Sequence, residues 1–347
     1  MASREVRVVI VGCGGMGGVH AAAWQKIEGV QIVGCCDSRA AAASEFAKKF
    51  NVPQKFKDLR KAAACDADVL DVCTPNNHHA PAVLAGFANR KHVLCEKPLA
   101  ITPAEVVKMI QASRKARRLL MCAQHMRFDG ASQGLKRWMD AGHMGEVYYA
   151  RAWHNRRRLL PAWGLFINKK ASGGGPCVDV GVHALDLTMW LMDNFEPVSV
   201  SGITPCKLAK IPGIYNTWGS YNPKKMEVED FAAGFIWFKN GAALSLEASW
   251  MVNIHSRSEV ATWVYGTGAG VKWPSLEIVE EKNGIITEGK IDNPPEAEGH
   301  EAEIVAFHDA IVNRKPSPVP PKETLAVIKV LDGLYRSHKT GREVSLR

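Results

Sequence analysis

Two hydrophobic rhythms alternate along the first third of the chain. Short apolar runs at Val6–Val11, 31–36, 68–73, 92–95 and 119–124 have the length and continuity of strands buried on both faces. Stretches of helical periodicity separate them, at about 17–27, 40–50 and 80–88. A further helix is announced by Thr102-Pro103-Ala104-Glu105, a capping box with proline at the first helical position. Repeated strand–helix units predict a parallel, doubly wound sheet.

Beyond about residue 125 the rhythm changes. Residues 146–154 read as a strand and 179–193 as a helix. Residues 231–250 read as a hairpin turned by Asn240-Gly241, the favoured two-residue loop. Pairing Lys239 with Ala242 sets Trp237 opposite Leu244, Phe235 opposite Leu246 and Phe231 opposite Trp250. That makes one apolar face, and leaves Ser245, Glu247 and Ser249 on a barer one. The expected second domain, 125–347, is therefore an α+β unit with a large, mostly antiparallel open sheet. Its barer face would pair with another subunit as a homodimer or homotetramer. Residues 315–321, KPSPVPP, make a stiff connector between two terminal helices.

The first strand ends in Gly12-Cys13-Gly14-Gly15-Met16-Gly17. This G-x-G-x-x-G follows a buried strand and opens a helix, the context in which it signals a dinucleotide site. Gly12 allows the tight turn, Gly14 lets a pyrophosphate approach the backbone, and Gly17 lets helix pack on strand. Gly15 and Met16 complete the turn, and the helix N-terminus faces the phosphate charge. Residues 1–124 thus read as a Rossmann domain. Asp37, 20 residues after Gly17, is placed to accept hydrogen bonds from a ribose diol, which favours NAD over NADP. Arg39 pulls the other way, because a guanidinium there could hold a 2′-phosphate. Thr74, Pro75 and Asn76 leave the carboxyl end of another strand and should neighbour the cofactor, with His79 close behind.

The segment HVLCEKPLA, 92–100, runs a strand into Glu96, Lys97 and Pro98 on the same edge. Charged groups there belong to a ligand crevice rather than a core. Further on, Gly173-Gly174-Gly175-Pro176 leads into Asp179 and His183, four apart on one helix face beside a glycine loop expected to be flexible. A lysine, an aspartate and a histidine converging on a nicotinamide make an alcohol-oxidation site. His183 would take the hydroxyl proton, Asp179 would orient it or hold a hydroxyl, and Lys97 would polarise the oxygen.

Charge and composition narrow the field. Net charge is +9 over 347 residues, but the dense run NRRRLL at 155–160 does not make a nucleic-acid surface, and a basic balance also suits an anionic ligand. Nine cysteines, an odd number without metal-ligand spacing, read as buried thiols of a reducing cytosol, so no metal is expected. The start of the chain shows no secretion signal and no run is long enough to span a membrane, so a cytoplasmic location is expected.

The order G-x-G-x-x-G, then EKP, then D-x-x-x-H after a glycine-rich loop resembles the Gfo/Idh/MocA oxidoreductases, among them glucose–fructose oxidoreductase and inositol dehydrogenase. The resemblance covers nearly the whole chain. It implies a nicotinamide cofactor and a sugar, cyclitol or glycoside substrate. Lys97, Asp179 and His183 match the family's catalytic positions, Glu96 a residue near the nicotinamide end, and Arg127 an arginine near the cofactor. The loop 153–175 could line a hydroxyl-rich pocket through His154, Arg156, Trp163 and Lys169. Two other activities use the same framework. One is a glycoside lyase or hydrolase that oxidises transiently and recycles NAD. The other is a cofactor-sensing regulator, which would have no use for Lys97, Asp179 and His183.

Overall fold

The computed structural model describes residues 5–346. The chain forms two compact units. The first takes the residues up to Phe128 and then Ala297–Leu325; the second takes Asp129–Glu296 and the residues from Ala326 onward. The segment 297–325, expected in the second domain, therefore packs with the first.

Six strands build the first unit: β1 (Val6–Val11), β2 (Val30–Cys36), β3 (Gln54–Phe56), β4 (Val69–Val72), β5 (His92–Cys95) and β6 (Leu120–Cys122). They lie in the order β3-β2-β1-β4-β5-β6 and every pair is parallel. Strand order reverses between β1 and β4, the switch point where such sheets bind ligands outside their carboxyl ends. The connecting helices are α1 (Gly15–Trp24), α2 (Ala40–Phe50), α3 (Leu59–Ala64), α4 (His79–Ala88) and α5 (Pro103–Ala116). The capping box at α5 is formed: Thr102 Oγ1 accepts from the Glu105 N–H at 3.3 Å while the Glu105 carboxylate accepts from the Thr102 N–H at 3.0 Å. β3 and α3 carry no strong periodicity and were not expected; Asp58 starts α3 by accepting from the Arg60 and Lys61 N–H groups.

Short helices α6 (Gly130–Trp138), α7 (Lys169–Ser172), α8 (Pro176–Asp179) and α9 (Gly181–Leu191) belong to the second unit. Its strands are β7 (Val147–Arg156), β8 (Pro197–Ile203), β9 (Phe231–Phe238), β10 (Ala243–Ser249), β11 (Ser258–Gly266), β12 (Ala269–Trp273), β13 (Glu277–Lys282), β14 (Ile285–Lys290) and β15 (Val344–Ser345). They make one sheet, β14-β13-β12-β11-β7-β10-β9-β8-β15, antiparallel except where β10 meets β7. Helix α9 packs on β7, β10 and β11. The helix α10 (Gly299–Val312) returns to the first unit, where Phe307 meets Trp24 of α1 edge-on at 6.5 Å. The last helix, α11, spans Pro321–Thr340.

The hairpin differs from expectation by one residue. The Phe238 N–H donates to Ala242 O and the Gly241 N–H to Phe238 O, so the loop has three residues, with Gly241 at φ +88°. That is a turn closed by a left-handed glycine rather than a two-residue turn. Trp237 consequently faces Ala243, Phe235 faces Ser245 and Phe231 faces Ser249. A one-residue slip exchanges the faces. Leu244, Leu246 and Ala248 join Ala232, Ile236 and Phe238 in the core. The open face gains Phe235 and the half-exposed Trp237, in a ring series continued by Tyr149 and Tyr265.

Candidate active site

In the first unit the candidate site residues lie at the carboxyl ends of the strands. The turn after β1 is tight. Gly12 holds φ +103°, and a side chain there would come within 2.4 Å of Cys73 O. A side chain at Gly17 would come within 2.0 Å of Gly12 O, so α1 packs on this turn only through glycine. Around Gly14 and Gly15 the space is open, and the first turn of α1 carries no acidic side chain and no side-chain cap. Its free N–H groups and dipole are thus left for an anion. Asp37 lies just past β2: its carboxylate accepts from the Cys13 N–H at 3.1 Å and from Arg39, by N–H at 2.9 Å and Nε at 3.4 Å. The free N–H groups of the glycine turn and the Asp37 carboxylate beside it are the donor and acceptor types that a dinucleotide's pyrophosphate and ribose require.

After β4, Thr74 and Pro75 lead into the single turn Asn76–His78 that starts α4. His79 is buried, with Nδ1 2.8 Å from Pro98 O and Nε2 2.8 Å from Thr74 O. Burial lowers its pKa against the pull of those carbonyls. Both ring nitrogens are engaged by the backbone, so His79 ties the Thr74 turn to the EKP turn.

The EKP turn rests on a network that the sequence did not reveal. His20 of α1, fully buried, places Nδ1 2.9 Å from Asp71 and Nε2 3.1 Å from Glu96. The Trp24 indole donates to Asp71 at 2.8 Å. Burial acts to lower the His20 pKa, but Asp71 and its neighbours carry it well above the usual imidazole range. Burial likewise acts to raise Glu96, yet His20 and Lys97 hold it at about 2. The other Glu96 oxygen accepts the Lys97 N–H at 3.0 Å. The acid of EKP is thus an anchor, and it fixes the backbone that carries the half-buried Lys97. Beside it, His125 stacks on His300 at 3.9 Å, and burial lowers its pKa to about 4. His300 Nδ1 lies 3.5 Å from the buried Glu303, whose carboxyl burial pushes up to about 7. Both His20 nitrogens already hold carboxylates, which removes that ring as a metal donor in the group His20, His300 and Glu303. Arg127, 2% exposed, forms its ion pair with Glu323.

In the second unit the candidate residues gather around Asp179. The expected helix is broken at Val180 (φ −109°, ψ −31°), so Asp179 ends α8 and His183 lies in the first turn of α9. Asp179 accepts from the Trp250 indole at 2.9 Å and lies 3.9 Å from Arg156 Nη1. Burial lowers the Arg156 pKa against the pull of Asp179. The Arg156 guanidinium sits 5.1 Å from the Trp218 ring centre, and Trp218 lies 5.2 Å from Trp163, which is 52% exposed. His183 is buried, and His154 is buried on the face of β7 that meets α9. The Lys169 ammonium lies 5.8 Å from the ring centre of Tyr335.

The glycine loop is packed rather than flexible. Glu229 accepts from the Gly175 N–H at 2.9 Å, the Cys177 N–H at 3.0 Å and the Tyr335 hydroxyl at 2.8 Å. A side chain at Gly174 would meet Tyr335 Oη at 1.9 Å and one at Gly175 would meet Glu229 O at 2.2 Å. These glycines let a buried carboxylate cap the turn that carries Asp179. No local pattern marks Glu229 or Tyr335, because they come from segments far apart in the chain.

Two family models match the chain: "Oxidoreductase family, NAD-binding Rossmann fold" over residues 6–124, and "GFO/IDH/MocA C-terminal domain" over 132–272. The D-glucoside 3-dehydrogenase of Escherichia coli (strain K12) is 30% identical over 100% of this chain and 99% of its own. The levoglucosan dehydrogenase of Pseudarthrobacter phenanthrenivorans is 26% identical over 77% of this chain and 73% of its own. A solved levoglucosan dehydrogenase in complex with NADH and levoglucosan has the same fold, with a TM-score of 0.85 at 22% identity over 99% of this chain and 100% of that one.

Proposed function

The chain belongs to the Gfo/Idh/MocA oxidoreductase family, and from that premise we propose that it is an NAD-dependent dehydrogenase oxidising a secondary alcohol of a sugar, cyclitol or glycoside. The observation that carries this reading is the anchored EKP turn. Glu96 fixes the backbone so that Lys97 leaves the sheet on the edge that bears the open glycine turn. Glycosides are favoured within that class because the protein most similar over its full length, among those compared above, acts on a D-glucoside. The Trp163–Trp218 pair with Arg156 offers an aromatic and cationic wall suited to the C–H face and hydroxyls of a pyranose.

The coenzyme supplies the hydride acceptor when bound, held by Gly12, Gly14, Gly15, Met16 and Gly17 and by the ribose contact of Asp37. The paired Asp37–Arg39 arrangement favours an unmodified ribose, hence NAD over NADP. Thr74, Pro75, Asn76 and Arg127 complete the lining, with His79 and Glu96 positioning it. Lys97 hydrogen-bonds the reacting oxygen and stabilises negative charge on it as the proton leaves. His183 accepts that proton. Asp179, fixed by Trp250 and Arg156, orients a hydroxyl, with His154 and Trp163 shaping the pocket. The open aromatic face of the nine-stranded sheet is assigned to contact with a second copy. No helix among the described residues is long and apolar enough to cross a membrane.

The test is absorbance at the NADH band with NAD or NADP and a panel of glucosides, anhydrosugars, inositols and free aldoses. A rise with a glucoside and NAD is expected. Turnover of a glycoside without net NADH would overturn the dehydrogenase assignment and favour transient-oxidation chemistry.

A further inference from the structure

A second concave site lies in the first unit, at the opposite edge of the six-stranded sheet. Its walls include Val6 and His92, which begin β1 and β5, and Asp68 and Leu119, which precede β4 and β6. In a parallel sheet these amino ends lie away from the carboxyl ends that bear the glycine turn and the EKP turn. The cavity measures about 890 Å³ and is ringed by Arg90, Arg114, Arg117, Arg118, Arg314 and Lys315. These cations come from three separate stretches of chain. The run 113–118, SRKARR, supplies three of them.

Helices α4, α5 and α10 all end here, with Arg90, Arg117 and Arg314 just beyond them at φ +56°, +53° and +54°. Cations at helix C-termini offset the macrodipole, about half a negative charge for each end. Three ends supply about −1.5. Asp68 adds one formal charge, partly engaged by the Arg7 N–H at 3.0 Å, and Lys315 is neutralised by Asp309 at 2.8 Å. Against that stand five arginines that form no ion pair with a carboxylate among the described residues. Helix ends therefore leave more than two positive charges around one cavity without a counter-charge.

We propose that this cleft is an anion site separate from the coenzyme site, and that it binds a nucleoside polyphosphate. The volume lies within the range of small-molecule pockets, about 300–1,000 Å³. Guanidinium groups recognise phosphate by two parallel hydrogen bonds and stack on flat rings. Ala310, Ile311 and Leu119 give the cavity an apolar lining where a base can lie, while the arginines ring it. The cations enclose a cavity rather than forming a stripe, which distinguishes the site from a nucleic-acid track.

The experiment is calorimetric titration of the full chain with ATP, inorganic pyrophosphate and a single-stranded oligonucleotide at low salt. It compares wild type, the cleft variant Arg114→Gln/Arg117→Gln/Arg314→Gln, and Gly14→Asp, which blocks the glycine turn. The three arginines are exposed, so the cleft variant should fold, and unchanged NADH binding verifies it. ATP affinity should fall at least tenfold in the cleft variant and stay within twofold in Gly14→Asp, with NADH showing the reverse. Loss of ATP binding in Gly14→Asp alone would place the nucleotide in the coenzyme site and overturn the proposal. Absence of ATP binding up to millimolar concentration would do the same. Equal binding of pyrophosphate and ATP would overturn the nucleoside assignment, and tighter binding of the oligonucleotide would overturn the small-molecule one.

Discussion

His20→Leu is the most informative perturbation of the first unit. The substitution removes the one cation between two buried carboxylates and leaves Asp71 with the Trp24 indole and Glu96 with the Lys97 N–H. The size of the effect follows from Glu96. Its pKa of about 2, against an ordinary 4.5, is a difference of about 2.5 units, or about 3 kcal/mol at 1.36 kcal/mol per unit. Breaking a buried ion pair from one side costs about 3–5 kcal/mol. We therefore expect His20→Leu to lose about 3–5 kcal/mol at pH 7. In the wild type, the depressed Glu96 pKa gives stability that is present above about pH 4.5 and is lost only as pH falls toward 2. The raised His20 pKa gives stability that is complete below its ordinary value of 6.5 and is lost as pH climbs through the raised one. Both contributions are thus intact at pH 4.5. The variant's uncompensated carboxylates, by contrast, can take up protons there, so its deficit should shrink by at least half. Adding Glu96→Gln to His20→Leu removes the stranded charge and should recover part of the pH 7 loss. Urea unfolding at pH 7 and pH 4.5 measures all three. A loss below about 1 kcal/mol, or an equal loss at both pH values, would refute the imidazolium bridge.

Lys97→Ala and His183→Ala should each lower turnover at least about 100-fold while leaving NADH affinity, read by fluorescence titration, within twofold. Asp37→Ala should weaken NAD more than NADP, and equal losses in a binding assay would count against the ribose contact. Glu303 has a folded pKa raised to about 7 by burial, so wild-type stability should fall by about 3 kcal/mol as pH rises from 4.5 through 7. Glu303→Gln should flatten that limb in unfolding curves, and an unchanged slope would exclude Glu303 as its source. Trp237→Glu, on the open sheet face, should sediment as a smaller species than wild type if that face joins two copies.

Patterns local in sequence were legible. The parallel strands, the glycine turn and the α5 capping box could be read because continuity, periodicity and capping are set by near neighbours. The hairpin register was not, because Asn240-Gly241 serves a two- or a three-residue loop equally well: both put Gly241 at positive φ, and they differ in the backbone of Asn240, which a type I′ turn would also need at positive φ and which is not so here. Asp179 and His183 were identified, but not the break at Val180. What holds the site stayed hidden for the same reason throughout. His20 reaches Asp71 and Glu96, and Glu229 reaches Gly175 and Tyr335, across dozens of residues, and long-range pairing leaves no periodic trace.

The return of 297–325 to the first unit has a consequence for synthesis. Trp24 is fully buried, with Phe307 of α10 against it. A nascent chain reaches Phe128 without that helix, so the dinucleotide-binding unit waits while residues 129–296 are made, roughly ten to thirty seconds at ordinary elongation rates. During that interval the groove on α1 stands open, and the second unit likewise waits for the residues from Ala326 onward. A fragment ending at residue 128 should accordingly need a holdase, or α10 supplied in trans, to stay soluble. A ribosome stalled beyond about residue 350 of a C-terminally extended chain should be the first to bear protease-resistant coenzyme-binding protein.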